Sequence, residues 1–133
     1  MHKRTITYVD YDGNTRTEEH HFHLNKSELA KMELSVKGGF TSYIQRIINA
    51  QDQPALLAAF EDIVTKSYGI KTPDGRGFVK KTEYLEDFMS TEAYSQLFME
   101  LITDTNAFVA FVNEIIPADM NQKPAAVTPI PAP

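Results

Sequence analysis

Cysteine is absent from the 133 residues, which excludes disulfides, thiolate metal sites and thiol nucleophiles together. No apolar run approaches the roughly 18 residues that a membrane-spanning helix needs. The opening residues, Met1-His2-Lys3-Arg4-Thr5, are positively charged with no apolar stretch behind them, so they do not read as a secretory signal. Lysine and arginine are missing from residues 82 to 122, where eight carboxylates stand, whereas residues 1–81 hold 12 basic and 10 acidic side chains. An acidic half of this kind repels phosphate backbones and argues against a nucleic-acid partner. Its ordinary meaning is a solvated acidic face; its sharper meaning is a docking surface for a basic partner.

Patterns that carry catalysis are also scarce. Glu18-Glu19, Glu61-Asp62 and Glu86-Asp87 are chain neighbours, whose side chains diverge on a strand or a helix. No serine or threonine has a nucleophile-elbow context. Gly75-Arg76-Gly77 lacks the spacing of a phosphate-binding loop, and Arg76 is expected to reach a local carboxylate. His21, His23 and Glu19 share a strand face, but with no further ligand nearby they read as an exposed strand edge rather than a metal site. His2 is placed at a loose terminus. The expectation is no enzymatic activity, no metal and no cofactor.

What remains is the composition of an ordinary globular domain, 42% hydrophobic and 23% charged. Ile6-Thr7-Tyr8-Val9, the Asp12-Gly13-Asn14 turn and a return strand to Leu24 predict a β-hairpin, with Phe22 and Leu24 on one face and His21 and His23 on the other. Asn25 and Glu28 form a capping-box pair opening a first helix that ends before Gly38-Gly39. Ile44, Ile47 and Ile48 mark a second helix from about Thr41 to Ala50. Asp52-Gln53-Pro54 starts a third, whose Leu56, Leu57, Phe60, Ile63, Val64 and Tyr68 make a wide apolar face. Tyr68-Gly69 reads as a helix stop using a left-handed glycine, and Pro73-Asp74-Gly75 as a tight turn.

Ser67–Lys80 is therefore a turn-rich joint between two helical halves. Its cations, Lys71, Arg76, Lys80 and Lys81, are expected to lie over the acidic helices that follow. Phe78-Val79 reads as a short extended segment, and a brief helix with Thr82 as cap as its successor. Ser90-Thr91-Glu92 caps a helix carrying Tyr94, Leu97, Phe98 and Leu101; Asp104 opens a last one that Pro117 stops. Met32, Met89, Met99 and Met120 lie on or beside helices, at core or rim positions. The fold class is thus α+β and mainly α: an N-terminal hairpin and a bundle of five to six helices in one domain over residues 1–117. Residues 118–133, with four of the seven prolines, read as a flexible Pro/Ala-rich tail.

In this order and spacing, several segments together resemble the tail assembly chaperones of siphovirus-type bacteriophages. They are Tyr11-Asp12-Gly13-Asn14, Phe22–Leu29, Met32-Glu33-Leu34-Ser35 with Gly38-Gly39, Ser67-Tyr68-Gly69 with Lys71, Asp74-Gly75-Arg76, Phe78 and Lys80, and Thr91–Leu101 running on to Pro117. The resemblance implies a non-enzymatic factor that binds the phage tape measure protein, keeps it soluble and helps recruit major tail (tube) protein during tail morphogenesis. It further implies work in the host bacterial cytoplasm, absence from the mature virion, and a frameshifted longer form or a homo-oligomer as further partners. A small structural connector retained in the virion is the alternative. Partner-binding side chains are expected among Tyr68, Lys71, Arg76, Phe78, Lys80, Tyr94, Leu97, Phe98 and Leu101.

Overall fold

A computed structural model describes residues 1–116. The expected tail, Met120 and the helix stop at Pro117 lie outside the described residues. Strand β1 (His2–Val9) pairs antiparallel with β2 (Thr15–Phe22), in register from His2 opposite Phe22 to Val9 opposite Thr15. The turn between them is held by the Asp10 carboxylate, which accepts the backbone N–H groups of Asp12 and Asn14 at 2.9 Å each. Gly13 supplies the positive φ of 84° that the turn needs.

Helix α1 (Lys26–Ser35) opens with the anticipated capping box: Asn25 accepts the Glu28 N–H at 2.9 Å and Glu28 accepts the Asn25 N–H at 3.0 Å. Helix α2 (Phe40–Ala50) has no side-chain cap at Gly39. Glu33 of α1 fills that role, accepting the Thr41 N–H at 2.7 Å and the Thr41 hydroxyl. Asp52 caps α3 (Gln53–Ser67), with Pro54 in its first turn. After the joint come α4 (Thr82–Met89), α5 (Glu92–Thr103) and α6 (Thr105–Ile115), the last capped by Asp104. Thr82 is the first helical residue of α4 rather than its cap, which is Lys81. Thr91 stands at the cap of α5, yet its hydroxyl donates back to Phe88 O at 2.7 Å and closes α4 instead.

The joint is more than a turn. Residues Tyr68–Lys71 form β3 and Phe78–Val79 form β4, a second hairpin that joins the first through β2. The sheet is antiparallel with the order β1-β2-β3-β4, so α1, α2 and α3 are inserted between two neighbouring strands. The glycine at 69 is required for a different reason from the one the sequence suggests. It is not among the residues of positive φ. A Cβ on Gly69 would instead lie 2.8 Å from both Val79 O and the Phe78 ring, so only glycine lets β4 approach β3.

One face of this sheet lies on the helices. Ile6, Tyr8, His20, Phe22 and Tyr68 point inward to meet Phe88, Phe108 and Phe111, all buried. Phe22 is the hub, edge-on to Tyr68, Phe88 and Phe111 at centroid distances of 5.5, 5.9 and 5.2 Å. His2, far from loose, belongs to β1 and presents its ring between Phe22 and Phe111, with Nδ1 against the Glu114 carboxylate.

Candidate partner-binding surface

Helix α5 organises the surface because its faces do three separate jobs. Ala93, Leu97 and Leu101 are at most 1% exposed and form its core side, a spacing of four that keeps them on one stripe. A polar side runs along the free edge of β1. There Gln96 Nε2 donates to Thr7 O at 3.0 Å, Glu100 pairs with Arg4, and at the helix start the Tyr11 hydroxyl donates to Ser90 O at 3.2 Å. A third side leans on α3. Tyr94 and Phe98 are half-buried against Phe60, at centroid distances of 6.1 and 5.6 Å, and Ile102 continues the same line at half burial. Beside that stripe Met99 is 54% exposed, so the apolar line continues onto the open surface.

The expected partner-binding residues divide between these environments. Tyr68, Leu97 and Leu101 are buried and support the surface from below. Tyr68 stacks flat on Phe88 at 4.5 Å, and burial, with Asp87 and Glu18 nearby, pushes its hydroxyl pKa up to about 12. Tyr94 and Phe98 reach the surface on α5. Lys71 and Phe78, opposite one another in β3 and β4, project from the outer sheet face, away from Tyr68. Phe78 covers Gly69 and stands edge-on to His23 at 6.3 Å.

Lys80 and Arg76 correct the expectation about the joint. Lys80 does not lie over the acidic helices; its ammonium is held by Glu28 Oε2, His23 O and Lys66 O at 2.8, 2.7 and 2.8 Å. Three acceptors converge there because the end of α3, the strand exit and α1 meet at β4, and three N–H donors satisfy them all. Arg76 is exposed and forms no ion pair among the described residues. Asp74, its local carboxylate, already accepts the Thr72 hydroxyl at 2.7 Å and the Arg76 backbone N–H at 3.0 Å. Lys81 alone leans toward α4, 5.6 Å from the Tyr84 ring.

Part of the acidic run is likewise internal, since Glu100 and Glu114 pair with Arg4 and His2 of β1. His21 and Glu19 stand on the outer face of β2 while His23 turns to Phe78; among the described residues no three His, Asp or Glu side chains converge as metal ligands would. No helix of the described residues is long and apolar enough to cross a membrane. Sequence reading passed over Ile102, although its place four residues beyond Phe98 carries the signal.

Comparison with known proteins adds one finding. No curated protein and no solved structure matches the chain. A family model described as phage tail assembly chaperone matches residues 1–128, a span that takes in both hairpins and the six helices of the described residues. On that match, the chain belongs to the phage tail assembly chaperone family.

Proposed function

We propose that the protein binds the tape measure protein of its phage, keeps that long helical chain soluble and helps recruit tube subunits to it in the host cytoplasm. The observation that carries the reading is the half-buried line Tyr94-Phe98-Ile102 with Met99 exposed beside it. A helix with apolar residues at i, i+3, i+4 and i+7 packs on such a half-buried line by burying its stripe against it. Methionine suits the edge of that line, because its flexible thioether adapts to successive turns of a long partner. Full burial of an exposed apolar side chain is worth about 1.5–3 kcal/mol before the costs of association, so several such anchors act together. In this reading the action is binding alone, the chaperone leaves before the virion matures, and further copies or a frameshifted longer form act beside it.

Co-expression tests this directly. A tape-measure segment that is insoluble alone should become soluble with the wild-type chaperone and stay insoluble with Phe98→Asp or Met99→Glu. Equal rescue by both variants removes the site, and no rescue by the wild type removes the function. Mass spectrometry of purified particles is expected to lack the protein, whereas a connector would be present.

A further inference from the structure

Helix α1 is held differently from its neighbours. Only Leu29 and Met32 of its ten residues are buried, against five of eleven in α2 and six of fifteen in α3. Its outer side faces solvent, where Leu34 is 88% exposed. The other attachments are polar and sit toward its two ends. Near the start, Glu28 Oε2 accepts one N–H of Lys80 at 2.8 Å, between side chains that are 34% and 20% exposed. Near the far end, Glu33 accepts the N–H and the hydroxyl of Thr41. Water replaces polar partners of this kind at small net cost, which it cannot do for a buried ring.

The chain on either side is fastened independently of α1. Before it, the His23 N–H donates to Ser67 O at 2.8 Å and the Leu24 N–H to Ile115 O at 3.3 Å. Lys80 keeps its contacts with His23 O and Lys66 O when Glu28 withdraws. After it, Gly38 and Gly39 stand at φ of 83° and 93°, a left-handed pair that glycine adopts without strain and about which the chain turns freely. Helix α2 then resumes the core with Ile44 and Ile48. Beneath α1 lies a narrow pocket, lined by Leu29 on the helix side and by Leu24, Phe40, Ile44, Ile63 and Ile115 on the other. A gap at that seam forfeits dispersion contact that closer packing would supply.

We infer that α1 is a hinged cover, opening as a unit about Gly38-Gly39 while the strands and the other helices stay folded. Few buried side chains, two latches that water can replace and a glycine hinge are what a local opening of low cost requires. A ten-residue helix released from its seat is too short to persist in water, so its turns are lost together. The opening bares Leu24, Phe40, Ile44 and Ile115, an apolar surface hidden in the closed form. Use of that surface by a partner would rest on the proposed function; the opening itself does not.

Native-state hydrogen exchange on the full chain tests this, read amide by amide in rising sub-denaturing urea. In the wild type the amides of residues 29–35 should share one opening, at least about ten-fold more frequent than that of the core amides of α3 and α6, with a smaller urea slope. Two variants separate local from global opening. Glu33→Ala removes a latch and should speed α1 exchange by about five-fold or more, although alanine is the stronger helix former. Phe88→Leu, at a ring whose contacts are with Phe22, Tyr68 and Tyr94, should speed the α3 and α6 amides and leave α1 unchanged. Exchange of α1 along the global urea line, or acceleration of α1 by Phe88→Leu to the same degree as α3, overturns the proposal. The wild-type urea series decides by itself if a variant does not fold. Solubilisation of a tape-measure segment enters neither readout, so the cover and the proposed function stand or fall separately.

Discussion

Three imidazoles, His2, His20 and His23, each carry a buried ring nitrogen without a hydrogen-bond partner among the described residues. Burial is the leading cause that lowers all three below the ordinary value of 6.5, although Glu114 pulls His2 and Glu18 pulls His20 the other way. Because the unfolded chain then binds more protons than the folded one, stability is complete above 6.5 and falls as pH drops through the folded values. Urea unfolding at about pH 7.5 and about pH 5.5 should show the loss, and His20→Gln should remove part of the slope. Equal stability at the two pH values contradicts it. Glu28 acts in a lower window. Burial opposes its charge, but the hydrogen bonds from Lys80 and the Asn25 N–H outweigh burial, so its contribution is lost only as pH falls below 4.5. Lys80→Met strands three acceptors at once and is expected to cost about 2 kcal/mol by the same measurement. Gly69→Ala should cost about 1–3 kcal/mol, since the added methyl meets backbone at Val79 that cannot turn aside.

At the level of elements, α5 serves β1 as a cover. An eight-residue edge strand with free backbone groups invites pairing with other chains, and Gln96, Glu100 and the Tyr11 contact block it. Replacing both Gln96 and Glu100 by alanine should leave the helix content unchanged while raising concentration-dependent light scattering. Absence of any increase would show that backbone burial alone protects the edge. This cover was not legible in the sequence, because a glutamine meeting a carbonyl 89 residues away leaves no local trace. Capping is the opposite case. Asn25 with Glu28, and Asp52 before Pro54, announce their helices because both partners lie within one turn. The strands of the joint fall between. Phe78-Val79 shows as an extended pair, yet β3 has only four residues around a glycine, and its partner in β2 is supplied by tertiary packing. For the candidate site, the stripe Tyr94-Phe98 was legible as periodicity. Burial of Leu97 and Leu101 and the capture of Lys80 by α1 were not, since periodicity marks a face without saying what covers it.

Taken whole, the molecule is a sheet whose inner face and helices share one aromatic centre. Phe88 touches Phe22, stacks on Tyr68 and stands edge-on to Tyr94, so it joins sheet, joint and α5. Phe88→Ala should therefore cost about 3–5 kcal/mol and loosen the sheet, the joint and α5 together, measured as a lowered Tm. The charge asymmetry also changes meaning at this scale. Helices α5 and α6 turn Glu100 and Glu114 toward Arg4 and His2 of β1, so part of the acidic run answers the cations of the sheet.

The insertion of three helices between neighbouring strands bears on how the chain is made. As it leaves the ribosome, β2 has nothing to its open side until residue 68 emerges, and His2 and Phe22 wait longer still for Phe111. Closure joins the ribbon of β1 and β2 to α6, the last of the described helices, a slow, non-local step that leaves sticky rings bare in the meantime. Until that closure the chain carries the exposed apolar surface on which folding intermediates aggregate.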